Sequence, residues 1–285
     1  MERIGIIGGT GLYLFEGVED VVETVVDTPF GPTSDAIVMG RVAGVDLAFL
    51  PRHGRGHRLL PTEVPYRANI WAMKQLGVHR IISASAVGSM KEDITLARPV
   101  LVDQFIDRTH GRASTFFGNG LVAHVSMADP TCGSLRRILA DAAREAGIDV
   151  REGGTYVCME GPQFSSRAES FQYRALGVDV IGMTNATEAK LAREAEICYA
   201  TIALPTDYDC WHETHEAVSV ETVIATLTEG TRRARAIIQA ALPHIASAAP
   251  CSCGEALKFA LLTDPALVPA DVRQRLAPIT GRYLK

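Results

Sequence analysis

The chain has 285 residues, 28 Lys and Arg against 33 Asp and Glu, 47% hydrophobic residues and six cysteines. This suits one large globular domain or two small ones and excludes a disordered tail or a disulfide-stapled miniature fold. Its formal charge of −5 is spread without a Lys/Arg-rich run, so a nucleic-acid backbone is a poor partner and small anions must be met by a few local donors. No stretch approaches a membrane span and the N-terminus shows no secretory pattern, so no membrane partner and a cytoplasmic location are expected.

Residues 3–8 (RIGIIG) form a short β-branched run ended by glycines, the pattern of a buried first strand. Further strands are predicted over 35–40, 45–50, 79–84, 98–102, 121–125, 155–159, 178–183 and 198–204, with helices over 64–76, 134–147, 166–175, 187–195 and 219–242. Alternating strands and helices predict an α/β domain with a largely parallel sheet, made mixed by the hairpin-like spacing of 35–40 and 45–50. The Gly-, Thr- and Ser-rich stretch 99–125 is expected to be an excursion. After Pro243 the helical pattern weakens, which sets a main unit at 1–245 and an extension at 246–285 with one short helix around 254–262.

The first glycine turn fits neither a P-loop, which needs a Lys, nor a dinucleotide fingerprint, which needs Gly where Leu14 stands. Gly8-Gly9-Thr10-Gly11 is either a tight turn or a set of backbone amides and one hydroxyl facing an anion. Arg52, His53, Arg55 and His57 follow strand 45–50, where ligands of α/β sheets sit; they form an anion site or a solvated basic loop. A donor-rich turn over 83–89, with Ser83, Ser85 and Ser89, would add to one oxyanion pocket.

The strongest chemical signal is Pro205-Thr206-Asp207-Tyr208-Asp209-Cys210-Trp211. In an extended chain Asp207 and Asp209 point to one side. Two close carboxylates disfavour joint ionisation, so one holds a proton to donate while the other accepts, which matches the N7 and 6-amino edge of adenine. The alternative is an Asx turn with solvated carboxylates. His212 and His215 make an HxxH beside them, without further ligands to complete a zinc set. Phe164 precedes a helix capped by Ser166 and Glu169 and either stacks on a base or acts as a hydrophobic staple. Val220, Val223 and Leu227 share one helix face, a core stripe unless the helix borders the pocket.

Taken in order, IGIIGGTGL, DTPFG, RHGR-H, ANIWA, DQFIDRT, EGPQFSSRAES, MTNATEAKLA and ATIALPTDYDCW, spread over about residues 3–243, resemble the purine nucleoside phosphorylase superfamily. The likeness is greatest to its 5′-methylthioadenosine phosphorylase branch. It implies a three-layer α/β/α fold around a mixed sheet, a homotrimer or a dimer of trimers, no metal, and no cofactor beyond inorganic phosphate as co-substrate. The implied reaction is phosphorolysis of methylthioadenosine to adenine and 5-methylthioribose 1-phosphate. By the same resemblance Thr10, Arg52, His53, Ser85, Ala86 and Thr184 bind phosphate, Asp207 protonates N7, and Asp209 accepts from the 6-amino group. Phe164 packs on the purine, Met183 lines the ribose, Val220 and Val223 wall the methylthio group, and His124 comes from a neighbouring subunit.

Relatives that prefer 6-oxopurines typically carry Asn at the first Asp position, so Asp207 favours aminopurines, although a broader purine nucleoside or methylthioinosine phosphorylase has the same fold. A non-catalytic nucleoside-binding protein is the reading from another class. Two departures stand out: Ser85 replaces a common Thr, and the tail does not follow the shorter relatives. That tail carries Cys251-Ser252-Cys253, a CxC that in some thermophilic relatives accompanies disulfides, so Cys132, Cys198, Cys251 and Cys253 are candidates to pair.

Overall fold

Strand-ending glycines and alternating apolar residues build one branched sheet. A computed structural model describes residues 3–12, 17–212 and 220–284, with the side chains of Thr10 and residues 220–225 outside the description. The strands are β1 (Arg3–Gly8), β2 (Glu19–Thr24), β3 (Ile37–Val42), β4 (Val45–Pro51), β5 (Val78–Ser89), β6 (Val100–Leu101), β7 (Gln104–Arg108), β8 (Arg151–Glu152), β9 (Thr155–Met159), β10 (Val180–Gly182) and β11 (Cys198–Asp207). The helices are α1 (Tyr66–Gln75), α2 (Gly133–Glu145), α3 (Arg167–Ala175), α4 (Asn185–Glu194), α5 (Val220–Ser247), α6 (Ala270–Arg275) and α7 (Ala277–Thr280).

The described strands make an eleven-stranded mixed sheet in the order β2-β3-β4-β1-β5-β10-β9-β7, with β11 branching from β5, β6 pairing with β11 and β8 pairing with β6. Strands β4, β1, β5 and β11 are parallel, so their C-terminal ends share one edge. The hairpin β3-β4 is antiparallel, as the spacing predicted. Period-two alternation sorts the core into layers. Ile4, Ile6, Leu47, Phe49, Ala200 and Ile202 face α2 and α5. Ile7, Ala48, Leu50 and Tyr199 face α1, α4 and the C-terminal segment on the other side. The result is a three-layer α/β/α sandwich.

Several elements differ from expectation for physical reasons. Residues 83–89 are not a turn but the second half of β5, because β11 and then β10 continue to pair with it. Residues 121–125 form no strand and make only the single bridges Gly118–Leu121 and Ala123–Leu261. The stretch 99–125 contains β6 and β7 rather than being a pure excursion; β7 is half exposed, so its apolar signal is short. Helix α5 runs through Pro243 to Ser247, since Leu242 and Ile245 are fully buried and that packing outweighs the proline.

The short helix expected over 254–262 is absent; a 3-10 turn at Ser252–Glu255 leads instead to α6 and α7. The tail still shares the main core. Leu257, Val268, Val272, Leu276 and Ile279 are buried in the cluster that contains α1 and α4. The Trp71 indole donates to the Arg275 carbonyl at 3.0 Å, and the Leu257 amide and Tyr283 hydroxyl both donate to Glu196.

Leu276→Ala, at a fully buried tail position, should lower unfolding free energy by about 2–5 kcal/mol, whereas Leu267→Ala at an exposed one should stay within about 0.5 kcal/mol. Urea unfolding of the full chain measures both; equal small effects would mean that the tail is not part of the core.

Candidate active site

Because β1, β4, β5 and β11 are parallel, Thr10, Arg52, Ser85, Ala86 and Asp207 are all delivered to one sheet edge, the side on which α/β sheets present ligand sites. Thr184 joins them from the turn between β10 and α4. Gly8 makes room at the first turn, since a Cβ there would lie 2.2 Å from Leu12 Cδ1 and 3.3 Å from the Ala84 carbonyl oxygen.

Arg52 is buried, and its planar head is largely spoken for. Nε donates to Glu188 Oε1, Nη2 to Glu188 Oε2 at 3.1 Å and to Ser83 Oγ at 2.5 Å, and Nη1 to the Ala84 carbonyl at 3.0 Å. Four of the five guanidinium hydrogens are thus engaged, leaving one for an anion. The network continues: Tyr199 and Ser83 hydroxyls donate to Glu188 Oε2, and Asn185 donates to Ser83, Tyr199 and Thr201. Glu188 holds the guanidinium protonated against burial. Of the basic loop, Arg52 and His53 turn inward while Arg55, His57 and Arg58 are exposed, so the anion-site and solvated-loop readings each describe half of it.

The His53 Nδ1–H donates to the Leu59 carbonyl at 2.8 Å, and the ring stacks on His57 at 4.4 Å. Burial and then the neighbouring Arg52 charge push its pKa down to about 4. The imidazole is therefore neutral at pH 7, and with Nδ1 donating, Nε2 is an acceptor. Thr184 is buried at the N-cap position of α4, its hydroxyl 3.1 Å from Asn185 Oδ1, so the helix amides and dipole face the same edge. Ser85 lies two residues along β5 from Ser83, on the same face, with Ala86 exposed after it. Beside Ser85 and the Thr184 amide sits the Tyr156 hydroxyl, fully buried and without a partner of good geometry among the described residues.

Asp207 is the last residue of β11, and Asp209 follows in a left-handed conformation at φ 52°. The pair is therefore brought together by a turn and not by extended-chain alternation. Asp207 Oδ1 accepts the Asp209 amide at 2.8 Å and Oδ2 accepts the Thr206 hydroxyl at 2.8 Å. An Asx bond does form, but the carboxylates are not solvated. Burial raises the pKa of Asp207, against the bonds from Thr206 and the Asp209 amide. Burial also raises that of Asp209, opposed by Ser170 and reinforced by the Asp207 charge. Asp209 Oδ2 is buried with no hydrogen-bond partner among the described residues. Gly88 makes room for both, since a Cβ there would stand 3.0 Å from Asp207 Oδ1 and 3.5 Å from Asp209 Cβ.

The capping box predicted at Ser166 and Glu169 is present and starts α3 at Arg167. Phe164 before it is 65% exposed, so it is not packed as a staple and its ring faces are free to stack. Met183 is half-buried, and its carbonyl accepts from Arg112 Nη1 at 2.5 Å. Arg112 also donates to Glu160 Oε1, to the Glu160 carbonyl and to the Tyr66 hydroxyl, tying the Phe164 loop to the Met183 turn.

Other expected residues are not brought to this edge by any described contact. His124 is exposed, and its amide donates to the Ala260 carbonyl at 2.9 Å. Val220 and Val223 begin α5, with side chains outside the described residues, as are the Thr10 side chain and His215. Glu188, Asn185, Tyr199, Tyr156 and Arg112 carry no local sequence signal, because a polar residue inside an apolar strand or helix reveals its partners only when distant segments meet. The one available hint was polar residues at core-facing positions: Tyr199 and Thr201 alternate within an otherwise apolar strand.

Residues 3–243 match the phosphorylase superfamily. The chain is 59% identical over 282 residues to the S-methyl-5′-thioadenosine phosphorylase of Geobacter sulfurreducens, covering 99% of both chains. It is 55% identical to that of Koribacter versatilis over 99% of this chain and 96% of the other. Among solved structures, a methylthioadenosine phosphorylase sourced from an antarctic soil metagenomic library superposes with TM-score 0.94 at 50% identity, over 98% of each chain. The Schistosoma mansoni methylthioadenosine phosphorylase in complex with adenine gives 0.83 at 40% identity, over 90% of this chain and 96% of that one. The likeness to the bacterial relatives therefore takes in the C-terminal tail.

Glu188→Ala leaves the buried Arg52 charge unpaired and should cost about 3–5 kcal/mol of unfolding free energy. A loss below about 1 kcal/mol in urea titration would show that the pair is not the keystone its burial implies.

Proposed function

The chain belongs to the phosphorylase superfamily, and on that premise we propose that it is a pentosyltransferase that cleaves S-methyl-5′-thioadenosine with inorganic phosphate, giving adenine and 5-methylthioribose 1-phosphate. The observation that carries the substrate is the Asp207–Asp209 turn. Asp209 Oδ2 is a buried acceptor without a donor among the described residues, and burial raises the pKa of Asp207, which favours its protonated form. An aminopurine supplies a donor at the 6-position and an acceptor at N7, whereas a 6-oxopurine would set O6 against the Asp209 oxygen.

The bond between C1′ and N9 breaks through an oxocarbenium-like sugar. A phosphate oxygen forms the new bond to C1′, the bonding electrons pass to the purine, and Asp207 delivers its proton to N7 and is reprotonated from solvent. Phosphate is held by the Gly8–Thr10 turn, the remaining Arg52 hydrogen, Ser85, the Ala86 amide, Thr184 and the α4 N-terminus. The neutral His53 accepts a hydrogen bond at Nε2 from the hydroxyl of monohydrogen phosphate. Phe164 stacks on the base, Met183 lines the ribose, and Val220 and Val223 form the apolar wall for the methylthio group. His124, exposed on its own chain, reaches the site of a neighbouring subunit in a homotrimer; Val122 beside it is an exposed apolar residue that such contact would cover. The enzyme uses no cofactor and serves purine and methionine salvage in the cytoplasm.

Methylthioadenosine should be consumed only when phosphate is present, followed by adenine release; an equal rate in phosphate-free buffer would identify a nucleosidase, and no turnover at all a binding protein. Asp207→Asn should lower kcat for methylthioadenosine by about 10²–10⁴-fold and shift preference toward methylthioinosine. Because burial raises the Asp207 pKa, the acid form persists to higher pH than in a free aspartate. The alkaline limb of kcat/KM should report its loss and vanish in Asp207→Asn; an unchanged limb in the variant assigns the acid elsewhere.

A further inference from the structure

The geometry points to a zinc site built from Cys132, Cys198, Cys251 and Cys253 that pins the C-terminal segment to the body of the fold. The four Sγ atoms all lie within 4.8 Å of one another, with Cys198–Cys251 at 3.0 Å and Cys132–Cys251 at 3.6 Å. Four thiolates around one Zn²⁺ at about 2.3 Å form a tetrahedron with edges of about 3.8 Å. All four cysteines are free thiols. Cys251 has two sulfur neighbours at once, an arrangement that one central ion satisfies and a single pairing does not.

The ligands come from separate places: Cys132 is the N-cap of α2, Cys198 opens β11, and Cys251 and Cys253 flank Ser252 at the start of the tail. The sequence hides the set because the CxC finds its partners 119 and 53 residues earlier. Binding releases the thiol protons and leaves a formal charge of about −2. The surroundings offset it: the Leu135 amide donates to Cys132 Sγ at 3.4 Å, and Arg193 Nη1 to Cys253 Sγ at 3.7 Å. Such outer donors are what a thiolate metal site needs. A cytoplasm keeps these thiols reduced and available to a metal. This reading departs from the expectations of no metal and of paired cysteines, and it stands independently of the substrate reading.

The test uses the full chain purified under reductant without a metal-affinity column. About one zinc per chain should survive dialysis, or be taken up from added ZnCl₂, and should be released as p-mercuribenzoate titrates the thiols, read with a metallochromic dye. Replacing zinc by Co²⁺ should give an intense thiolate-to-metal band and tetrahedral d–d absorption. In Cys251→Ser/Cys253→Ser retention should drop at least tenfold; if that variant fails to fold, the Co²⁺ spectrum of the parent still decides. Failure of the reduced parent to retain zinc, or an intact mass showing disulfides in the protein as purified and no metal uptake after reduction, would overturn the proposal.

Discussion

The buried Arg52–Glu188 pair holds the site edge together. Arg52 follows β4, Ser83 and Ala84 lie on β5, Glu188 and Asn185 are on α4, and Tyr199 and Thr201 are on β11, so one network joins four elements. Removing two ions from water costs several kcal/mol each, and their attraction offsets this only when the remaining lone pairs and protons are satisfied. Here all but one Arg52 hydrogen are: Glu188 Oε2 alone accepts from Arg52, Ser83 and Tyr199. The arrangement fixes the spacing of strand ends on which every later step of the chemistry relies.

That neutralised pair also sets the electrostatics of the pocket. A guanidinium already matched by a carboxylate offers an anion a direction more than a net charge, and His53 is neutral. In the proposed reaction the phosphate charge is then met by oriented dipoles, among them the α4 N-terminus beside Thr184. At the other end of the pocket, burial raises the pKa of both Asp207 and Asp209. In the proposed reaction, a neutral acceptor toward the phosphate and a carboxyl whose acid form burial favours toward the base suit positive charge developing between them.

The α/β class, the β3-β4 hairpin and most helices were legible because they rest on periodicity, a property of contiguous residues, whereas the three-layer order came from the family resemblance. Strand β9 was placed at its observed residues, and the α3 capping box was found from two side chains three positions apart. What failed shares one cause. The second half of β5 looks like a Gly/Ser turn and is a strand only because β11 and β10 pair with it, and α5 passes Pro243 only because Leu242 and Ile245 are buried. The Asp pair was found for an incomplete reason: its residues converge through the left-handed backbone at Asp209, which extended-chain alternation does not contain. Glu188 was illegible because a glutamate in a helix carries no mark of a partner 136 residues away.

Strand β11 connects the two ends of the molecule's chemistry. It begins at Cys198, in the sulfur cluster, and ends at Asp207. At about 3.3 Å per residue these points are about 30 Å apart, which excludes direct participation of the cluster in base or phosphate chemistry. Its reach is mechanical instead. Cys251 and Cys253 fix where the tail starts, and the tail then supplies the Ala260 carbonyl to the His124 amide and bridges Leu261 to Ala123. Anchoring the sulfur cluster therefore orders the segment that carries the exposed His124, through backbone contacts rather than through the strand.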